Sequence, residues 1–319
     1  MKKWVVLSIT VTMLLTLLAG CKASSNSVVS TQKNKPITND PYKIYLESNL
    51  LEDYSTEQLE HDVIQENHIE VSENVPNKTV TLFGQTITLC YKETWQSNRR
   101  TRNLLFYDVR DSQTGALYWA GFDSATGALR IYYNSQAGND RSYQSEVNEH
   151  SSEAEFLAYA KKLVSQYASV EGCAVEIETR FYEYKEEYGY YGQTGITVDG
   201  YVNNAENIPD FYAVYTFTFY KTIDGIRLWD TNTIEISNTG EVCQAGFYLQ
   251  DDVYEDYFDI DIDMEQAERL VHSACDGEIV SALLVATTDG ALWLHFMVYW
   301  GIEGAGSCNT YAIPIVGGI

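Results

Sequence analysis

Basic residues are scarce in this chain: 21 Lys and Arg stand against 45 Asp and Glu in 319 residues, a formal charge of −24. A field of that sign repels nucleic-acid phosphates, so nucleic acid is excluded as a partner. Histidine is scarce too. His61, His68, His150, His272 and His295 form no pair at helical metal-ligand spacing, and none stands beside a nucleophile in a familiar motif. Gly-x-Ser-x-Gly, His-Glu-x-x-His and a phosphate-cradling glycine loop are all missing. The common hydrolase and nucleotide signatures are therefore absent, and the expectation is no catalytic residue, no cofactor and no metal. Beyond Cys21, the cysteines Cys90, Cys173, Cys243, Cys275 and Cys308 are an odd set without zinc-site spacing. At most two pairs are available to them. A chain this long buries a core without staples, and mostly free, buried thiols are expected.

Charge of the missing sign does occur at the amino terminus. Lys2 and Lys3 precede an apolar run from Trp4 to Leu18 that ends in Leu18-Ala19-Gly20-Cys21. The run has about fifteen residues, short of the ~20 that span a bilayer. Positive charge holds such an amino terminus on the cytoplasmic side, and the small residues suit a peptidase. The pattern resembles the bacterial lipobox, which implies that Cys21 receives a diacylglycerol and that residues 1–20 are removed. Taking Lys2 and Lys3 from the 21 basic residues leaves 19 against 45 acidic ones, a formal charge of −26. Residues 21–40, polar and poor in large apolar side chains, read as a tether. The implied location is the extracytoplasmic face of the cell membrane, with the lipid on Cys21 as the contact to it.

Turn chemistry marks the folded part. Asp111-Ser112-Gln113-Thr114-Gly115-Ala116-Leu117 recurs twelve residues later as Asp123-Ser124-Ala125-Thr126-Gly127-Ala128-Leu129. Asp and Ser bond nearby backbone, Gly supplies positive φ, and the flanking stretches are branched and aromatic, so a meander is expected. From Ser152 the period changes: Phe156, Ala160, Leu163, Val164 and Tyr167 share a helical face, with Ser152 and Glu155 as a capping box. Tyr212 to Tyr220 alternates, followed by Asp224-Gly225 and Ile226 to Trp229, which predicts a hairpin. Thr233 to Ile236 and Val242 to Leu249 extend it. A second helix is expected from Asp263, with Gln266 completing its cap and Ala267, Leu270, Val271, Ala274 and Cys275 as its stripe. Strands Val280 to Thr287, Leu292 to Trp300 and Tyr311 to Val316 follow, and Pro314 marks the last as an edge.

Helices followed by antiparallel meanders predict an α+β fold rather than a doubly wound sheet. The expected divisions are residues 41–150 as an N-terminal, mainly β region, 151–250 as a helix with a sheet, and 251–319 as a second helix with a sheet. Asp263-Met264-Glu265-Gln266-Ala267-Glu268 and Ile234-Glu235-Ile236-Ser237-Asn238-Thr239-Gly240-Glu241-Val242 resemble PepSY-like modules over residues 150–319. That resemblance implies single helices packed on antiparallel sheets and a non-catalytic role, with no catalytic residues to carry over.

Two clusters could carry chemistry. Asp251, Asp252, Glu255, Asp256, Asp259, Asp261 and Asp263 concentrate charge, but an EF-hand register from Asp259 puts Met264 where Gly is needed and Leu270 where Glu is needed. A solvated acidic face is expected there. Tyr182, Tyr184, Tyr188, Tyr190, Tyr191 and Tyr201 are interleaved with Gly189, Gly192, Gly195 and Gly200. Tyrosine offers a flat apolar face and a hydroxyl, which suits recognition of peptides or sugars, while a plain hairpin would use the same residues to cover a sheet. The candidate binding residues are Tyr188, Tyr190 and Tyr191. The expected function is a lipid-anchored, extracytoplasmic binding or regulatory protein with a peptide, cell-wall or protein partner. The alternatives are a transporter's solute-binding lipoprotein or an enzyme with an unrecognised site.

Overall fold

Alternation of branched and aromatic residues, with a period of two, governs most of this chain. In a computed structural model, the described residues are 45–46, 67–69, 75–96, 103–110, 117–135, 137, 143, 145–185, 190–203, 205, 212–249, 251–286, 291–302 and 305–316. The first strands are β1 (Tyr45–Leu46), β2 (Asn67–Ile69), β3 (Lys78–Leu82), β4 (Gln85–Gln96), β5 (Leu104–Arg110), β6 (Leu117–Asp123) and β7 (Leu129–Asn134). Helix α1 (Glu153–Val164) leads to β8 (Ala174–Lys185), β9 (Tyr190–Asp199), β10 (Tyr212–Tyr220), β11 (Thr222–Ile223), β12 (Ile226–Leu228), β13 (Asn232–Ser237) and β14 (Val242–Phe247). The single turn α2 (Asp251–Tyr254), a 3-10 turn at Glu255–Tyr257 and α3 (Met264–Ala274) precede β15 (Glu278–Ala286), β16 (Leu292–Ile302) and β17 (Ala305–Val316).

These seventeen strands overturn the α+β expectation of repeated units of one helix on one sheet. The fold is predominantly antiparallel β, with only α1 and α3 longer than one turn among the described residues. The physical reason is strand pairing. β7 pairs with β14 at Ile131↔Gly246 and Tyr133↔Gln244, so the meander before residue 150 and the one after it share a single sheet. Its order is β2-β4-β5-β6-β7-β14-β13-β10-β8-β9, with β3 on β4, and among the described residues between β2 and β14 α1 is the one long helix.

Two compact units result, one of residues 60–260 with 286–289, the other containing 261–285 and 290–319. In the first, α1 starts as expected: Ser152 Oγ accepts from Glu155 N, and Glu155 Oε2 accepts from Ser152 N at 2.7 Å. Phe156, Ala160, Leu163 and Val164 are buried in one core with Tyr215, Phe217, Phe219, Ile234, Ile236 and Phe247. Phe156 meets Tyr215 at 4.7 Å between ring centroids, and Tyr167 stacks on Phe247 at 5.3 Å. Burial of each large side chain such as Phe156, Leu163 or Ile234 contributes about 1.5–3 kcal/mol.

The expected hairpin of Tyr212 to Tyr220 with Ile226 to Trp229 is corrected. Asp224 (φ 50) and Gly225 (φ 78) do turn the chain, but they join β11 to β12, while β10 pairs with β13 on one side and β8 on the other. A nine-residue strand finds six partners in β13 and nine in β8, where β12 offers only three residues. Longer ladders satisfy more backbone donors. The recurring turn at Asp123 forms as read: Oδ1 accepts from Ala125 N (2.9 Å) and Thr126 N (2.8 Å), and Gly127 has φ 71. Its sister copy at 111–116 lies outside the described residues.

In the second unit the strand order is β1-β17-β16-β15, with Leu284, Leu292, Leu294, Phe296 and Val298 fully buried. Asp263 Oδ1 caps α3 by accepting from Gln266 N at 2.9 Å, and Ala267, Leu270 and Val271 are buried. Among the described residues β1 pairs with β17 at Tyr311 and Ala312, and Pro314 lies beyond that contact.

Candidate functional site

The Tyr/Gly segment is a hairpin at the end of the large sheet. β8 pairs with β10 over nine positions, and β9 pairs with the other side of β8, Glu178 facing Asp199, Thr179 facing Val198 and Arg180 facing Thr197. Among the described residues no strand lies beyond β9. Gly200, at φ 90, ends it and donates to Ile177 O at 2.7 Å, while Thr179 Oγ1 donates to Gly200 O at 2.7 Å and accepts from Val202 N. The base of the hairpin is thus clamped by a buried threonine.

Its tyrosines divide. Tyr201 stacks on Tyr215 at 4.6 Å and donates its hydroxyl to Ser151 O at 2.6 Å, which makes it a structural residue. Tyr182 sits against Tyr212 at 5.2 Å, beside Val214 and Cys243, and burial pushes its hydroxyl up to about 12. Of the candidate binding residues, Tyr188 lies outside the described residues, as does Cys21. Tyr190 and Tyr191 open β9, opposite Lys185 and Tyr184, with only their backbone described.

The residues that the sequence reading missed lie further along the same strand. Ile196 is 55% exposed and Val198 36%, and they alternate with exposed Thr197 and Asp199. The only other exposed large hydrophobic residues described are Phe258 and Val280, so this edge holds half of them. A signal was present: Ile196-Thr197-Val198-Asp199 alternates like a strand, and no Lys or Pro guards it.

Beside the edge lies an ionic cluster. Arg180 Nη2 donates to Thr216 Oγ1 (2.9 Å) and to Glu235, and its Nε lies 3.2 Å from Glu178 Oε1. Arg227 pairs with Glu176 at 2.6 Å. Burial raises the Glu178 carboxyl above the ordinary carboxylate range. The pull of Arg180 is outweighed once repulsion from Glu235, Asp199 and Glu176 is added. Negative charge is in excess here, four carboxylates against two guanidiniums.

Other candidates are spent on structure. Asp263 caps α3, and the described residues bring together no group of three His, Cys, Asp or Glu able to hold a metal. Among the described residues, Cys90, Cys243 and Cys275 are free thiols, and of these only Cys243 is buried. A shallow groove lined by Gln85, Thr86, Ile87, Thr88, Val109 and Tyr118 has its threonine hydroxyls bonded across the strand pair, Thr88 to Thr79 and Thr86 to Thr81. Compared with known proteins, the chain matches no family model, no curated protein and no solved structure.

Proposed function

We propose that this chain is a lipid-anchored, extracytoplasmic binding or regulatory protein of the bacterial cell envelope. Cys21 holds it to the membrane, and it acts by binding a peptide, cell-wall or protein partner without catalysis. The observation that carries this reading is Lys2-Lys3, the apolar run and Leu18-Ala19-Gly20-Cys21, followed by the polar stretch to residue 40. No helix among the described residues is long and apolar enough to cross a membrane. The open edge of β9 supports the binding half of the reading, because an exposed row of backbone donors and acceptors is a ready template for another chain.

Cell fractionation of wild type and Cys21→Ala tests the anchor. The expected result is a wild-type protein in the membrane fraction whose amino-terminal peptide is lipid-modified by mass spectrometry, and an unmodified, uncleaved variant. A wild type without lipid at Cys21 would overturn the reading.

A further inference from the structure

We infer that β9 binds an extended, basic peptide by adding it as a further strand to the large sheet, a deepening of the binding reading above. Three observations meet there. First, the outer side of β9 has no strand neighbour among the described residues. Gly200 donates inward to Ile177, and alternation in an antiparallel ladder then turns the backbone groups of Asp199 and Thr197 outward. Second, the two faces of the edge differ. Val198 lies opposite Thr179, on the face where Tyr215 joins the α1 core, whereas Thr197 and Asp199 lie opposite Arg180 and Glu178, on the ionic face. An added strand of period two would set apolar side chains along Ile196 and Val198 and the alternate ones against the carboxylates.

Third, charge selects the sign of those alternate side chains. Glu176, Glu178, Asp199 and Glu235 exceed Arg180 and Arg227, whose guanidiniums are already paired. The whole chain carries −24. A second copy of so acidic an edge would bring like charges together, which costs stability in cross-strand pairs. A strand alternating Lys or Arg with Val, Ile or Leu meets both faces.

The test titrates the full chain, in detergent micelles, with an eight-residue peptide alternating Lys and Val. The controls are an alternating Glu and Val peptide, and the Lys and Val peptide N-methylated on alternate residues. Binding of the first about tenfold tighter than of either control is expected, since charge and backbone pairing are both required. Thr197→Pro removes an outward donor without touching the ladder to β8, and should abolish that preference at an unchanged melting temperature. Asp199→Lys gives a second readout, a loss of the preference for the Lys and Val peptide over the Glu and Val peptide, because it leaves three carboxylates against three cations beside the edge. Equal binding to the N-methylated peptide, undiminished binding by Thr197→Pro, or no binding to wild type would each overturn the inference. So would a wild-type dimer in sedimentation that Thr197→Pro dissolves, because the occupant would then be a second copy. None of these results bears on lipid at Cys21, so failure here and failure of the anchor are read separately.

Discussion

The middle and the end of the large sheet are built from similar residues and do different work. In β10 and β13, Ala213, Tyr215, Phe217, Phe219, Ile234 and Ile236 are all fully buried beneath α1 and its neighbours, and Val214 and Thr216 on the opposite face are buried too. In β9, Ile196 and Val198 stand in solvent. A branched residue in the middle stabilises the fold, while the same type at the end leaves a surface to be covered. Position in the ladder separates core from contact, and composition does not.

Placing a charge in the core should break the middle most severely. Leu163→Asp buries an unpaired carboxylate between α1 and the sheet, and a loss of about 3–5 kcal/mol is expected, enough to prevent folding, with circular dichroism as the check. Phe217→Ala should cost a comparable ~3–5 kcal/mol by leaving a cavity. If either variant melted like wild type, α1 would not be the cover of this sheet.

The turn that joins β13 to β14 comes next. Gly240 has φ 87, and a Cβ there would lie 1.8 Å from Ser145 Oγ and 2.7 Å from Val147 O. Gly240→Ala adds a clash to left-handed strain that by itself costs ~1–3 kcal/mol. Chemical denaturation should show a loss at or above the top of that range. Gly225→Ala, at φ 78 with nothing near its Cβ, should show the strain alone.

A smaller effect is expected at Asp123, which is 1% exposed. Burial alone would raise its carboxyl, but the Thr126 and Ala125 amides, the Thr126 hydroxyl and Arg130 together bring it below the ordinary value. A folded pKa below the unfolded one, about 3.9, means stability that is complete above that pH and lost as pH falls toward the folded value. Asp123→Ala should therefore lower stability at neutral pH by about 1–3 kcal/mol and flatten the dependence below pH ~4. An unchanged acid limb would show that the carboxylate is not held in its charged form.

Least of all should happen at the sheet's end. Ile196→Ser and Val198→Ser are expected to stay within about 0.5 kcal/mol of wild type, a shift of no more than ~2 °C in melting temperature. A larger loss would mean that the edge is covered and would erase the contrast with β10.

Local features of this contrast were legible in the residues. Ser152 with Glu155 and the spacing of Phe156, Ala160, Leu163 and Val164 predicted α1, and Asp123 with Gly127 predicted its turn, because capping and turn chemistry act over three or four neighbours. The period of two in Tyr212 to Tyr220 predicted a strand but named the wrong partner. Pairing of β10 with β13 and of β7 with β14 depends on which ladders close longest, a competition among distant segments that no local window contains. The candidate tyrosines were chosen by composition, yet Tyr182 and Tyr201 of the same segment belong to the core, since ring burial is set by Tyr212 and Tyr215 on another strand.

By itself, the sequence determined the sign and size of the charge, the amino-terminal pattern ending at Cys21, the helix caps and the turns, all of which depend on residue type and near neighbours. Tertiary structure alone decided that the two meanders form one sheet, that Arg180 is enclosed by Glu178, Thr216 and Glu235, and that β9 lies outermost at one end of that sheet among the described residues. Each of these is a non-local pairing. Loop closure and backbone hydrogen bonding weigh such pairings against one another over the whole chain, so they are settled only when the chain folds.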